Sequence, residues 1–279
     1  MDSIIEAHYH SDNLCTTILD ALETAGRNTS QLALKDLAAV DQLHTGGFLS
    51  TMELVKAAAI APDSRILDAG CGIGGSSRLM VEEFSCQVSG IDLSHEFIHT
   101  ARELTHRCSL ADRIQYEQGS VLDLAFPDSC FDALLSQHLL MNIEDQAGAF
   151  KEFFRVLRSG GKLLIHEIFT AGPGITAQDI EYPVPWASHA GLSFLNTWEE
   201  TRSQLDKAGF TLGFQQDQSP SAIDWWSRVK AAHGNPDTPR RPLGPHLVFG
   251  DDGARFGATM LSNFEGGQLK LMGAVFTKP

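Results

Sequence analysis

Residues 66–78 read "ILDAGCGIGGSSR", an apolar run that breaks into glycines and then into small hydroxyl residues. That is the pattern of a buried strand turning sharply into a helix. Its glycines admit two kinds of ligand. Gly70, Gly72 and Gly75 satisfy G-x-G-x-x-G, the fingerprint of dinucleotide-binding folds. The same stretch reads D-x-G-x-G-x-G through Asp68, Gly70, Gly72 and Gly74, which suits a nucleoside carrying an amino acid.

Outward from this turn, strands and helices alternate. "SRILDAG" predicts a strand, "SSRLMVEEF" a helix, and "QVSGIDL" a second strand whose following Ser94 is placed to cap "HEFIHTARELTHRC". "IQYEQGS" and "FDALLSQ" predict strands three and four. "AGAFKEFFRVL" predicts a helix stopped by Ser159-Gly160-Gly161, and "KLLIHEIF" a fifth strand. Repeated units of this length build a parallel sheet with helices on both faces, doubly wound because the crossovers are right-handed. Before this core, "LCTTILDALETAG", "LALKDLAAVDQLH" and "FLSTMELVKAAAI" predict three helices. After it, "AGPGITAQDIEYPVPWASHAG" holds three prolines and no periodicity, so it reads as a lid loop. A helix ("TWEETRSQLDKAG"), a sixth strand ("FTLGFQQ"), a mostly helical insertion with Trp225-Trp226, and a closing strand ("QLKLMGAVFTK") complete the chain.

The expected organisation is thus a helical N-terminal cap (1–60), a ligand-binding core (61–170), a lid loop (171–196), and the end of the sheet (197–279) with a helical insertion at 219–267. The fold class is α/β, with a doubly wound seven-stranded sheet.

Composition narrows the partners. The formal charge is −14, and the one short basic run, Arg240-Arg241, is too small to grip phosphate backbones, so no nucleic acid is expected. Five scattered cysteines in no C-x-x-C pair fit a reducing compartment rather than a disulfide framework or a zinc site. "MDSIIEAHYHSDN" is not a signal peptide, and no apolar run reaches the ~18–20 residues of a membrane span. A cytoplasmic protein without a membrane partner is expected, either a monomer or a homodimer.

Asp92, ending the second strand, can accept both ribose hydroxyls of either ligand. Asp68 separates the two. A carboxylate at the head of the turn repels a pyrophosphate, whereas it stabilises a ligand bearing an ammonium and a sulfonium. A structural role for Asp68, accepting backbone N–H groups of the turn, stays open here.

These residues resemble a known family. The D-x-G-x-G-x-G turn, the acid in "GIDLS", "GSVLDLAF" after strand three and "RVLRSGGKLLIHE" around strand five are similar to class I S-adenosylmethionine-dependent methyltransferases over residues ~60–170. The likeness is to the small-molecule branch that includes ubiquinone/menaquinone and sarcosine/dimethylglycine methyltransferases. "DQLHTGG" and "PVPWA" are similar, more loosely, to bacterial proteins of the dimethylglycine type. The resemblance implies a Rossmann-like sheet, S-adenosyl-L-methionine as cofactor and S-adenosyl-L-homocysteine as product. It places Asp68, Gly70, Gly72 and Gly74 along the methionine part, Asp92 on the ribose, Leu93 beside the adenine and Gln137 toward the methionine. One departure is Ser120, which stands where many members carry an acid facing the adenine amino group. Adenine recognition then falls to backbone groups, Val121 and Leu122.

Ligands of open α/β sheets react outside the carboxyl ends of the strands. "SQHLLMNI" offers His138, Met141 and Asn142 there, "IHEIF" offers His166 and Glu167, and "DQLHTGG" offers His44 as part of a flap. His138 and His166 are the candidate catalytic bases, since imidazole titrates near working pH. His44, Met141, Asn142, Glu167 and Trp186 are the candidate substrate contacts, each with a purely structural alternative. Trp186, Trp225, Trp226, Phe169 and Phe194 offer aromatic walls for a methylammonium or a flat ring. No metal site is expected: His8 and His10 form a lone pair, and His166 and Glu167 point to opposite faces of a strand. The expected activity is methyl transfer to a small molecule, with an amine nitrogen favoured over carbon or oxygen. Two alternatives remain at this point, an NAD-dependent oxidoreductase and a non-transferring S-adenosylmethionine-binding protein or cyclase.

Overall fold

The computed structural model describes residues 13–233 and 242–279. His8, His10, Arg240 and Arg241 lie outside the described residues. Seven strands form one sheet: β1 (Arg65–Ala69), β2 (Gln87–Asp92), β3 (Ile114–Gln118), β4 (Phe131–Gln137), β5 (Leu157–Thr170), β6 (Thr211–Asp217) and β7 (Leu269–Thr277). Their order is β3-β2-β1-β4-β5-β7-β6. β7 runs antiparallel between β5 and β6, and the other pairings are parallel.

β1 pairs on both edges, Ile66 lying between Val88 and Ala133, and is buried along all but its first residue. A strand buried on both faces must be apolar throughout, which "RILDA" nearly is. Its alternation feeds two cores. Ile66 packs with Leu54 and Val55 of α3 (Gly47–Ala57) and Met80 and Val81 of α4 (Gly75–Phe84), while Leu67 packs with Phe150 and Phe153 of α6 (Gln146–Val156) on the opposite face. The crossover helix α5 (His95–Arg107) starts as its sequence predicts, with the Ser94 hydroxyl accepting the Phe97 N–H at 3.2 Å. The order reverses between β1 and β4, so the chain diverges there and opens a crevice at the strands' carboxyl ends.

Two N-terminal and core expectations are corrected. The middle helix predicted from "LALKDLAAVDQLH" is a single turn, α2 (Leu34–Leu37), following α1 (Leu14–Thr24). The chain then has to bring Val40 into the apolar cluster beneath α1 and carry the Asp41 carboxylate to Arg78, and these tertiary contacts outweigh helix propensity. The helix expected to run to Ser159 ends at Val156, because Leu157 is buried and already paired with Phe131. Gly160, at φ +78°, lies inside the bulged start of β5 rather than after a helix.

Between β6 and β7 the insertion contributes α8 (Ser219–His233), the short α9 (His246–Phe249) and α10 (Phe256–Glu265), after α7 (Trp198–Ala208) has led into β6. α8 packs on α10 and on the N-terminal segment, where the Trp226 indole N–H donates to Thr45 Oγ1 at 3.2 Å and the Trp225 ring lies against Gly47.

Candidate active site

A cavity of about 470 Å³ occupies the crevice, within the roughly 300–1,000 Å³ usual for small-molecule sites. Its floor is the glycine turn. Gly72, at φ +53°, has open space where a side chain would begin, so backbone faces the cavity there. Gly74 differs from its expected place. A Cβ on it would lie 2.3 Å from the Tyr116 hydroxyl and 2.9 Å from Arg78 Nη1, so it packs behind the turn and does not border the cavity. Its φ of +83° is what makes it the residue preceding α4.

Asp68 and Asp92 stand side by side in this wall, the first buried and the second half-buried. Asp68 accepts the Ser77 hydroxyl at 2.5 Å, and burial pushes its carboxyl up to about 6 against that bond. Asp92 accepts the Gly72 N–H and the Ser94 N–H, each at 2.9 Å, one on each oxygen. Burial raises it too, while these bonds lower it. The nearby cation is spoken for: Arg78 Nη2 lies 2.9 Å from Asp41 Oδ2, with both side chains sealed. Two neighbouring acids with no ion pair to a cationic side chain among the described residues favour a cationic ligand. Leu93, Ser120, Val121 and Leu122 line the side beyond Asp92, together with Phe97, and Ser120 accepts the Leu122 N–H at 3.3 Å.

At the opposite end, Gln137 finishes β4. Its Oε1 accepts the Thr51 hydroxyl at 3.1 Å and the Ser76 hydroxyl at 2.8 Å, and its amide lies 3.2 Å from His166 Nδ1. One amide N–H remains for a ligand. His138 follows with φ +53°, a left-handed conformation uncommon outside glycine, and its ring stacks on His166 at 5.3 Å between centroids. His44 closes the group, 6.1 Å from the His138 ring and 6.0 Å from that of His166. His44, His138, Met141, Asn142 and Trp186 all border the cavity.

His166 and Glu167 do not, which corrects both expectations. They point to opposite sides of β5, and neither reaches the cavity wall. Glu167 accepts the Ser136 hydroxyl at 2.7 Å and the N–H groups of Leu139 and Leu140, so it clamps the loop that carries Met141 and Asn142. Of the five expected aromatic walls, Trp186 alone borders the cavity, its N–H donating to Ser193 at 2.9 Å. Phe169 is in the core against Trp198. Thr51, Ser76 and Phe249 belong to the site without having been expected. Ser76 follows the glycines and was legible, but Thr51 and Phe249 come from distant segments with no motif to mark them. Among the described residues no group of three or more His, Cys, Asp or Glu is arranged to hold a metal ion, and no helix is long and apolar enough to cross a membrane.

The profile of a family described as "Methyltransferase domain" matches residues 67–165, the stretch from β1 through β5 that carries both acids and Gln137. Residues 67–165 thus carry a methyltransferase domain, similar to those that use S-adenosylmethionine. Phosphoethanolamine N-methyltransferase 1 of Zea mays is 31% identical over 175 residues, 63% of this chain and 34% of the relative. The chain therefore spans about a third of the length of such curated relatives. Among solved structures, one described as a sarcosine dimethylglycine methyltransferase from Galdieria sulphuraria superposes with a TM-score of 0.68 at 22% identity, over 82% of this chain and 83% of that one. The [4+2]-cyclase SpnF gives 0.69 at 20% identity, over 95% and 93%. These likenesses establish the shared fold. Against the dinucleotide alternative stands Asp68, whose carboxylate at the head of the turn opposes a pyrophosphate.

The methyltransferase core has an unusual titration pattern. Burial lowers His44 to about 4 and His166 to about 3, and holds His138 well below 6.5. Each must gain a proton on unfolding below pH 6.5, so each contributes stability that is lost as pH falls. Asp68, at about 6, and Glu167, pushed by burial to about 7, act in the opposite sense, losing stability as pH rises from 3.8 and 4.5 respectively. Asp92, also raised by burial, acts with these acids. The three histidines set the sign because all three stay neutral in the fold while charging in the unfolded chain over most of this range. Melting temperature is expected to climb from pH 4.5 to 6.5, less steeply in His166→Gln and more steeply in Glu167→Gln. A flat wild-type profile would show that the histidines are hydrated.

Proposed function

We propose that this protein transfers a methyl group from S-adenosyl-L-methionine to a small, unphosphorylated amine. The observation that carries the acceptor class is the lining of the cavity. Glu144 and Asp145 border it, and among the described lining residues there is no lysine or arginine. An acidic rim attracts ammonium-bearing molecules and repels phosphate esters, and Trp186 offers a face for a methylammonium, worth ~0.5–2 kcal/mol. The names of the plant relatives support amine methylation, but among its described lining residues this cavity has no cation to receive their phosphate.

When bound, S-adenosylmethionine supplies an electrophilic methyl group. In this reading Asp68 and the free amide N–H of Gln137 hold the amino-acid end, while Gly70 and Gly72 let backbone come close. Asp92 accepts from the ribose, and Leu93, Ser120, Val121 and Leu122 enclose the adenine. The chain's remaining work is to hold the nucleophile in line and exclude water, and orientation of this kind contributes on the order of 7–11 kcal/mol. His138, Met141, Asn142 and Trp186 form the acceptor wall. The acidic surface leads us further to propose a cytoplasmic monomer or homodimer with no nucleic-acid partner.

The test is S-adenosylhomocysteine release with sarcosine, dimethylglycine, ethanolamine, phosphoethanolamine, a phenol and a quinol. Product with an unphosphorylated amine and not with phosphoethanolamine supports the reading. Preference for phosphoethanolamine, or for the rings alone, overturns the acceptor class. Tight cofactor binding without turnover on any of them would favour the non-transferring alternative, whose fold SpnF shares.

A further inference from the structure

We infer that His44, from the N-terminal segment, presents through Nδ1 the lone pair that receives the N–H of the amine acceptor, and that His166 serves only to hold Gln137. The inference rests on the amine reading above and assigns the contact within it.

The hydrogen bonds fix the tautomers. His44 Nε2 lies 3.0 Å from the Gly47 carbonyl oxygen, which can only accept, so Nε2 carries the proton. The same nitrogen lies 3.1 Å from Thr51 Oγ1, whose own proton goes to Gln137 Oε1, so the Thr51 oxygen accepts as well. The proton on Nε2 leaves Nδ1 as a bare lone pair. Nδ1 has no partner among the described residues, and it is not one of the sealed, unpartnered nitrogens, which include His138 Nε2 and His166 Nε2. The His44 ring borders the cavity. His166 is fixed the other way round: its Nδ1 receives the Gln137 amide N–H, which puts its proton on the enclosed Nε2, and the Gln218 side chain lies near the ring. Among the described residues no hydrogen bond sets the tautomer of His138.

The anchoring also explains why an imidazole is used. The chain from Gly47 and Thr51 through His44 holds the ring at one angle, while burial keeps it unprotonated, so no positive charge stands beside a sulfonium. A lone pair aimed at the amine N–H turns the nitrogen's own lone pair toward the methyl carbon. In the transfer a nitrogen–carbon bond forms and the carbon–sulfur bond breaks, its electron pair staying on sulfur. The proton remains on the methylated nitrogen until it reaches water. His44 accepts a hydrogen bond and does not take the proton.

Two substitutions separate this role from a merely structural one. The amide nitrogen of glutamine reproduces an Nε2 donor, and the oxygen of asparagine reproduces an Nδ1 acceptor. His44→Gln therefore keeps the bonds to Gly47 and Thr51 but loses the lone pair. It is expected to retain S-adenosylhomocysteine affinity within about twofold while kcat/KM for sarcosine falls roughly 10–100-fold, the effect of leaving one buried donor unpaired. His44→Asn is expected to retain more activity than His44→Gln despite losing the anchor. Nitrogen-15 NMR of the wild-type imidazoles, with S-adenosylhomocysteine bound and sarcosine titrated in, should show a proton on His44 Nε2 and a sarcosine-dependent shift at Nδ1. The opposite tautomer, an unmoved Nδ1, or wild-type turnover in His44→Gln with loss in His44→Asn, overturns the inference. If the wild type methylates only a phenol, the amine reading fails alone, and the two variants are read on the phenol O–H. Transfer to no acceptor overturns both.

Discussion

Asp41→Asn is expected to destabilise the protein by about 3–5 kcal/mol, measured as a shift in urea midpoint at unchanged slope. The substitution leaves the Arg78 guanidinium fully buried with its charge uncompensated, since its other side-chain partner is the neutral Thr105 hydroxyl at 3.1 Å. Burial works against the guanidinium most strongly, and Asp41, together with Tyr116 and Cys108, more than restores it. The attraction between the two charges roughly offsets what it costs to desolvate them, so removing one partner is far worse than removing both. Arg78→Met combined with Asp41→Leu should accordingly recover most of the loss. The pair also sets the site: Asp41 borders the cavity, and its carbonyl oxygen lies 2.1 Å from where a Cβ on Gly75 would stand. A loss below 1 kcal/mol in Asp41→Asn would mean that water reaches Arg78.

Asp92→Ala is expected to weaken S-adenosylhomocysteine binding by about 1–3 kcal/mol, roughly 5- to 150-fold in Kd by calorimetry. Two effects add. The substitution removes the proposed acceptors of the ribose hydroxyls, and it frees the Gly72 and Ser94 N–H groups that shape the turn. Asp92→Asn separates them, since its single oxygen can serve only one of the two amides. Unchanged affinity in both variants would remove Asp92 from the ribose contact.

The two predictions draw on different parts of the chain, and the difference explains what was legible. Asp68, Gly70, Gly72 and Asp92 sit at the ends of two neighbouring parallel strands, and strand–turn–helix geometry follows from local residue pattern: apolar run, glycines needing positive φ, small residues opening a helix. Gln137 and His138 were found by the same logic at the end of β4. The turn's companions were not. Asp41 pairs with Arg78 across 37 residues, Thr51 reaches Gln137 across 86, and Trp226 reaches Thr45 across 181. No periodicity encodes such separations. His166 and Glu167 show the converse error, because a residue's place at a strand's carboxyl end does not say whether its side chain meets the cavity or the layer behind it. Glu167 turned to the loop amides, since a buried carboxylate must be hydrogen-bonded and three donors converge there.

By itself, then, the sequence determined the seven-stranded sheet, the position of the glycine turn and the acids that flank it, because these depend on the period of apolar residues and on backbone conformations that few residues tolerate. The tertiary structure alone decided which histidine has a lone pair to offer and which acid is an anchor. It also decided how far the predicted helix after Leu32 runs. Those outcomes turn on the partners a buried polar group finds, and the partners arrive from segments that meet only when the chain has folded.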